Sequence, residues 1–185
     1  MRASALLPRY LSQLSCAANA GPTLDLACGT GHNGLYLLEQ GIPVVFADSN
    51  PVALEQIKLG LETESRQEVR HMATMWQVDF EQTATPPLSP NSFSAILVFR
   101  YLHRPLLPQI KQAICPGGLI IYETFTVEQA RFGRPKNPDF LLRPGELENC
   151  FADWQVLHSF EGTTSNTDNS STQAIAQIVA VKPSR

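Results

Sequence analysis

The chain has 185 residues, a formal net charge of −3, a sequence pI near 5.8 and 43% hydrophobic residues. That length suits one compact domain with a sizeable core, and the absence of a like-charge block argues against strong nonspecific affinity for nucleic-acid phosphates. Cys16, Cys28, Cys115 and Cys150 are scattered, with no C-x-x-C pair and no histidine cluster, so the expectation is a cytoplasmic protein with reduced thiols and no metal site. No apolar run reaches the length of a membrane span.

At the N-terminus, Arg2 and the run Ala-Ser-Ala-Leu-Leu precede Ala18-Asn19-Ala20, which imitates a signal-peptidase site. Pro8-Arg9 interrupts the apolar run, and cleavage after Ala20 would leave the first strand almost at the new terminus. Residues 1–20 are therefore expected to be a helical extension, with a helix from about Pro8 to Ala18 that covers the ligand cleft or the sheet edge.

Thr23 to Ala27 then reads as a strand that runs into Cys28-Gly29-Thr30-Gly31-His32-Asn33-Gly34 and a helix through Leu35 to Gln40. Two close glycines after a strand let the backbone bend sharply and let a ligand approach without meeting a Cβ. Pro43 to Asp48 is the next strand, and its terminal carboxylate can accept from ribose hydroxyls. Asn50-Pro51 reads as a cap and first helical residue for a helix reaching Leu61. Met75 to Asp79 is a third strand, and Asp79 with Phe80 offers an acceptor and an aromatic face to an adenine.

Beyond a proline-rich loop from Thr83 to Asn91, Ser92 to Phe99 is an apolar strand, and His103-Arg104-Pro105 opens a helix through Ile114. Pro116-Gly117-Gly118 separates that helix from a strand at Leu119 to Thr124. Residues 126–143 form a long segment carrying four cations, Arg131, Arg134, Lys136 and Arg143, with Phe132 and Phe140 interleaved. Such a length is common for a lid or binding loop, the alternative being a solvated loop anchored by its aromatics. A helix at Pro144 to Phe151 and strands at Trp154 to Phe160 and Ala174 to Val181, joined by a polar turn at Gly162 to Thr172, complete an alternating α/β pattern without internal repeats.

Gly29, Gly31 and Gly34 satisfy G-x-G-x-x-G, which also allows a dinucleotide oxidoreductase. Asp25, inside the strand ahead of the turn, suits a pyrophosphate poorly and a cofactor with a sulfonium and an α-amino group well. Asp25-Leu26-Ala27-Cys28-Gly29-Thr30-Gly31 resembles the first motif of the class I S-adenosylmethionine-dependent methyltransferases, and His32-Asn33-Gly34 looks most like the tellurite-resistance and thiopurine-type branch. The likeness covers about residues 20 to 125 and includes the Pro-Gly-Gly before a strand. One departure is Ala27, where many members have glycine; a negative φ is expected there.

The resemblance implies a single methyltransferase domain over 1–185, with a doubly wound, mostly parallel seven-stranded Rossmann-like sheet and a C-terminal antiparallel pair. S-adenosyl-L-methionine would be the cofactor, with Asp25, Ala27, Cys28, Gly29, Gly31, Asn33, Asp48, Ser49, Asp79, Phe80 and Phe99 around it. Ligands of open α/β sheets sit beyond the carboxyl ends of the strands. Arg100 offers a cationic fork there, Tyr101 a group to orient substrate and His103 a general base, while Arg131 and Arg134 are candidate acceptor contacts. His103 as a helix cap and Arg100 paired with Glu123 are the alternatives.

The expected activity is methyl transfer to a small, anionic or soft-nucleophile acceptor, with no membrane or nucleic-acid partner. Three other readings stay open: an RNA or protein methyltransferase within a complex, a catalytically silent S-adenosylmethionine-binding protein, and a nicotinamide-dependent oxidoreductase.

Overall fold

A computed structural model describes residues 2–82, 84–85, 87–166 and 171–184. Its first elements are two short helices, α1 (Leu6–Arg9) and α2 (Leu11–Ala17), in place of one helix from Pro8 to Ala18. Pro8 sits in the first turn of α1, where a missing N–H costs nothing because that donor has no partner within the helix. Then follow β1 (Thr23–Leu26), α3 (His32–Glu39), β2 (Val44–Asp48), α4 (Pro51–Leu61) and β3 (Ala73–Gln77). The second half comprises β4 (Phe93–Phe99), α5 (Leu107–Ala113), β5 (Ile114–Phe125), α6 (Glu146–Cys150), β6 (Gln155–Asn166) and β7 (Ser171–Val181).

Among the described residues, the strands form one seven-stranded sheet in the order β3-β2-β1-β4-β5-β7-β6. The first five are parallel, and β7 pairs antiparallel with both β5 and β6. Chain order reverses between β1 and β4, which makes the space beyond their carboxyl ends the crevice where such sheets bind ligands.

Alternation along the strands divides the core between two faces. Leu24, Leu26, Ile96, Val98, Ile120 and Tyr122 meet Ile110, Leu147 and Phe151 on one side. Val44, Phe46, Leu97, Ile121 and Val179 meet Leu7 and Leu14 of the N-terminal helices, and Leu37, Leu38 and Ile57 of α3 and α4, on the other. The helical extension is thus part of the core.

Several boundaries differ from those read in the sequence. β3 stops at Gln77, paired with the last residue of β2, and Asp79 lies beyond it. Its carboxylate accepts the Glu81 N–H at 3.0 Å, a local turn that competes with an extended chain. Ile114 ends no helix: it begins β5 and pairs with Phe93, before a register shift places Leu119 opposite Ala95. Pro116-Gly117-Gly118 is therefore a bulge within the strand, with Gly117 at φ +77. The helix read at Pro144 to Phe151 shortens to α6, behind Gly145 at φ +68. Gly162 to Asn166 and Ser171 to Thr172 extend the last two strands, and the remainder of that polar turn, 167–170, lies outside the described residues.

Candidate active site

β1 ends at Leu26, and within five residues the chain adopts a left-handed conformation three times: Ala27 at φ +52, Gly29 at +52 and Gly31 at +71. The expected negative φ at Ala27 is therefore wrong. An alanine there carries a penalty of roughly 1–2 kcal/mol that glycine would avoid. The turn is held by Cys28 N–H to the Ala47 carbonyl at 3.0 Å and Gly31 N–H to the Cys28 carbonyl at 2.9 Å. Crowding explains Gly34, since an added Cβ would lie 2.4 Å from Phe46 Cε1 and 2.9 Å from Asp25 Oδ2.

Asp25 is 2% exposed, and its Oδ2 accepts the Gly34 N–H at 2.9 Å. Burial pushes its carboxyl up to about 7; the Gly34 hydrogen bond opposes that rise and the Asp48 charge adds to it. No cation pairs with it among the described residues. Asp48, at the end of β2, accepts Gly29 N–H through Oδ2 at 2.7 Å and Asn50 N–H through Oδ1 at 2.9 Å, so it shapes the glycine turn from the next strand. Ser49 is exposed beside it. Cys28 is a buried thiol, pushed up by burial and then by the charges of Asp25 and Asp48, which keeps it protonated.

Asn33 is buried, and its Oδ1 accepts the Ser4 N–H at 2.9 Å, which ties the N-terminal extension to the start of α3. Asp79 accepts from Glu81 N–H and, at 3.1 Å, from Gln82 Nε2, and these bonds hold its carboxyl below the usual range. Phe80 stands edge-on to Trp76 at 5.5 Å between centroids. Phe99, half-buried, closes β4.

Arg100 follows immediately and is left-handed at φ +59. Its guanidinium lies 4.6 Å from the centroid of the Phe125 ring, donates to Gln173 Oε1 at 2.8 Å and stands 3.8 Å from Glu123. A cavity of about 440 Å³ opens in front of it, lined by Glu81, Tyr101, Leu102, Phe125, Arg134, Pro135 and Phe140 as well as Arg100. The Tyr101 phenol is pushed up by burial first and then by the Glu81 carboxylate beside it. The structure thus brings Arg100, Tyr101 and Arg134 together.

It does not bring His103 or Arg131 into that group. His103 lines a separate cavity with Phe80, Glu81, Gln82 and Thr85. It occupies the cap position of a 3-10 turn at Arg104–Leu106, but its side chain makes no capping bond. Arg131 pairs with Glu128 on the same turn at 2.5 Å, and its side chain is 75% exposed.

The segment 126–143 is anchored at both ends. Gln129 is 4% exposed; its Oε1 accepts the Ala174 N–H at 2.9 Å and its Nε2 donates to the Arg134 carbonyl at 3.2 Å. Arg104 donates to the carbonyls of Asp139 and Leu141 and pairs with Glu146 at 2.6 Å. Phe132 and Phe140 remain 45% and 47% exposed, so they are not the anchors. Glu81, Gln129 and Arg104 were missed in the sequence. Only Glu81 had a local signal, its place directly after Asp79-Phe80.

Residues 23–118 match the family model described as "Methyltransferase domain". The structure is similar to TehB from Haemophilus influenzae, with 21% identity, a TM-score of 0.66, and coverage of 92% of this chain and 61% of that one. It is also similar to an S-adenosylmethionine-dependent methyltransferase from Methanosarcina mazei, with 13% identity, a TM-score of 0.69 and full coverage of both chains. A curated relative, Hemagglutinin 1 of Eikenella corrodens, is 27% identical over 139 residues; these are 73% of this chain and 44% of that protein's length. Among the described residues no helix is long and apolar enough to cross a membrane.

Proposed function

The chain belongs to the methyltransferase-domain family, and from that premise we propose that it transfers the methyl group of S-adenosylmethionine to a small, anionic or soft-nucleophile acceptor. The cofactor class sets the nicotinamide reading aside. The observation that carries the proposal is the row of three acids near the carboxyl ends of neighbouring strands, Asp25 one residue before the end of β1, Asp48 at the end of β2 and Asp79 two residues beyond β3, beside a turn with three left-handed residues.

A buried carboxyl held near 7 without a cation fits a site built for a bound ammonium group. In this reading Asp25 faces the amino-acid end of the cofactor and the 27–31 backbone wraps it. Asp48 takes the ribose hydroxyls on its remaining lone pairs, while Asp79 and Phe80 frame the adenine. The cofactor supplies a methyl group on a sulfonium, already joined to a good leaving group. The protein's task is then alignment and exclusion of water, and a soft anionic nucleophile needs no base. Arg100 and Arg134 draw an anionic acceptor to the cavity, and segment 126–143, fixed at its base by Gln129, shields it. Free, scattered thiols support a cytoplasmic setting.

Calorimetry with S-adenosylhomocysteine and with NADH tests the cofactor assignment. Binding of the former in the micromolar range, about −8 kcal/mol, with none of the latter is expected; the reverse preference overturns it. Transfer of a labelled methyl group to a fractionated cell extract then tests the acceptor class: label in acidic small molecules supports the proposal, and label confined to RNA or protein refutes it.

A further inference from the structure

The cavity beside Arg100 is polarised. Glu81 joins the lining from the segment that follows β3, its N–H held by Asp79, the residue assigned to the adenine. Arg134 comes from the 126–143 segment, and Arg100 is set against Phe125 and Gln173 at the β5–β7 side. Among the described residues, the Arg134 guanidinium has no acidic partner. Arg100 is shared with Glu123 at 3.8 Å, a distance that leaves donors for a ligand. The rest of the lining is mostly apolar or aromatic: Tyr101, Leu102, Phe125, Pro135 and the half-exposed ring of Phe140. A small inorganic oxyanion would satisfy the arginines and leave those walls in water. A planar aromatic body would cover them, and a volume of about 440 Å³ lies within the range of small-molecule sites.

Building on the methyl-transfer reading above, we infer that this cavity takes a planar aromatic carboxylate. Its acid group sits on Arg134 and Arg100 and its ring lies against Phe125 and Phe140. The Glu81 carboxylate repels the acid group from its own part of the lining, so the ligand enters one way round. Its far edge, the one that would carry the nucleophile, then points toward Asp79 and the cofactor.

The test uses the full-length protein saturated with S-adenosylhomocysteine, titrated with 2-naphthoate, with the neutral 2-naphthamide and with sulfate, and followed by calorimetry and ligand-observed NMR. Naphthoate should bind at least about tenfold more tightly than the amide, and equimolar sulfate should not displace it. Arg134→Ala and Arg100→Ala should each weaken naphthoate by about tenfold, whereas Glu81→Gln should tighten it several-fold, a change of opposite sign within one cavity. S-adenosylhomocysteine affinity, measured on every variant, reports whether the fold and the cofactor site persist. Equal binding of acid and amide, displacement by sulfate, or no naphthoate binding to the loaded protein overturns the inference and leaves the methyltransferase reading standing. Failure of S-adenosylhomocysteine to bind removes that reading instead.

Discussion

Asp25→Asn separates what this acid costs the fold from what it does for binding. Asp25 is 2% exposed, hydrogen-bonded to Gly34 N–H at 2.9 Å, and its carboxyl is raised from 3.8 to about 7, first by burial. A folded-state value above the unfolded one means that the native protein keeps a proton which the unfolded chain has released. The contribution to stability is therefore complete below 3.8 and is lost as pH rises to about 7. At 1.36 kcal/mol per pH unit the loss totals about 4 kcal/mol, of which about 3 kcal/mol falls between pH 5 and pH 8.

Asparagine keeps an oxygen for Gly34 and carries no charge at any pH. In urea unfolding, the variant should gain about 3 kcal/mol on the parent protein between pH 5 and pH 8. Calorimetry at pH 8 should show S-adenosylhomocysteine affinity reduced at least about tenfold, because the ammonium group loses its counter-charge. A parent–variant stability difference equal at both pH values would refute the assigned protonation of Asp25. Unchanged affinity would refute its role toward the cofactor.

Other residues give sharper local tests. Ala27→Gly should raise the unfolding free energy by about 0.5–1 kcal/mol, because glycine adopts the left-handed turn without the Cβ penalty; an unmoved urea midpoint contradicts the strain. Asp48→Ala removes the acceptor of Gly29 and Asn50 N–H along with the proposed ribose contact, and should weaken S-adenosylhomocysteine by about 1.5–3 kcal/mol in calorimetry. Full affinity in a folded variant refutes the ribose assignment. Gln129→Leu leaves the Ala174 N–H without its acceptor; a stability loss of about 1–3 kcal/mol and faster proteolytic cleavage within 126–143 are expected. Cleavage at the parent rate would show that this segment is held by other contacts.

The parts of the fold legible in the sequence are those whose cause is local. Asn50-Pro51 caps α4 as its residue types suggest, with Asn50 Oδ1 accepting Val52 N–H at 3.0 Å. Gly29 and Gly31 turn the chain where their spacing places a turn, and the apolar runs of β1, β2 and β4 lie in one sheet. What escaped was determined from a distance. No local pattern announces that Gln129 will bond to Ala174, 45 residues on, or that Arg104 will reach Glu146. Without those anchors, 126–143 reads as a lid or binding loop, or as a solvated loop held by its aromatics, and Arg131 and Arg134 are equal candidates. His103 was placed correctly along the chain but not around it: the turn at Arg104–Leu106 carries it into the neighbouring cavity. Ala27 is small enough to suggest an ordinary backbone, whereas it is left-handed in the turn where Cys28 N–H pairs with the Ala47 carbonyl.

Two of the three non-glycine residues at positive φ among the described residues, Ala27 and Arg100, stand immediately after β1 and β4, the neighbouring strands between which chain order reverses. Each carries a cost of roughly 1–2 kcal/mol, borne only where surrounding contacts exceed it. Arg100 has such contacts: its N–H donates to the Glu123 carbonyl at 2.8 Å, and its guanidinium is fixed by Phe125, Gln173 and Glu123. The pair with Glu123 is a long one, because Gln173 takes a guanidinium donor and Gln177 donates to the Glu123 carboxylate at 2.7 Å. The separation of 3.8 Å keeps a cation facing the cavity. On the β1 side the same kind of bend brings Gly29 N–H onto Asp48 Oδ2 at 2.7 Å. In the proposed reading, the two bends flank one crevice, with Asp25 and Asp48 on the side assigned to the cofactor and Arg100 and Arg134 on the side assigned to the acceptor. On that reading a sulfonium methyl group and an anionic nucleophile would be drawn to the crevice by charges of opposite sign.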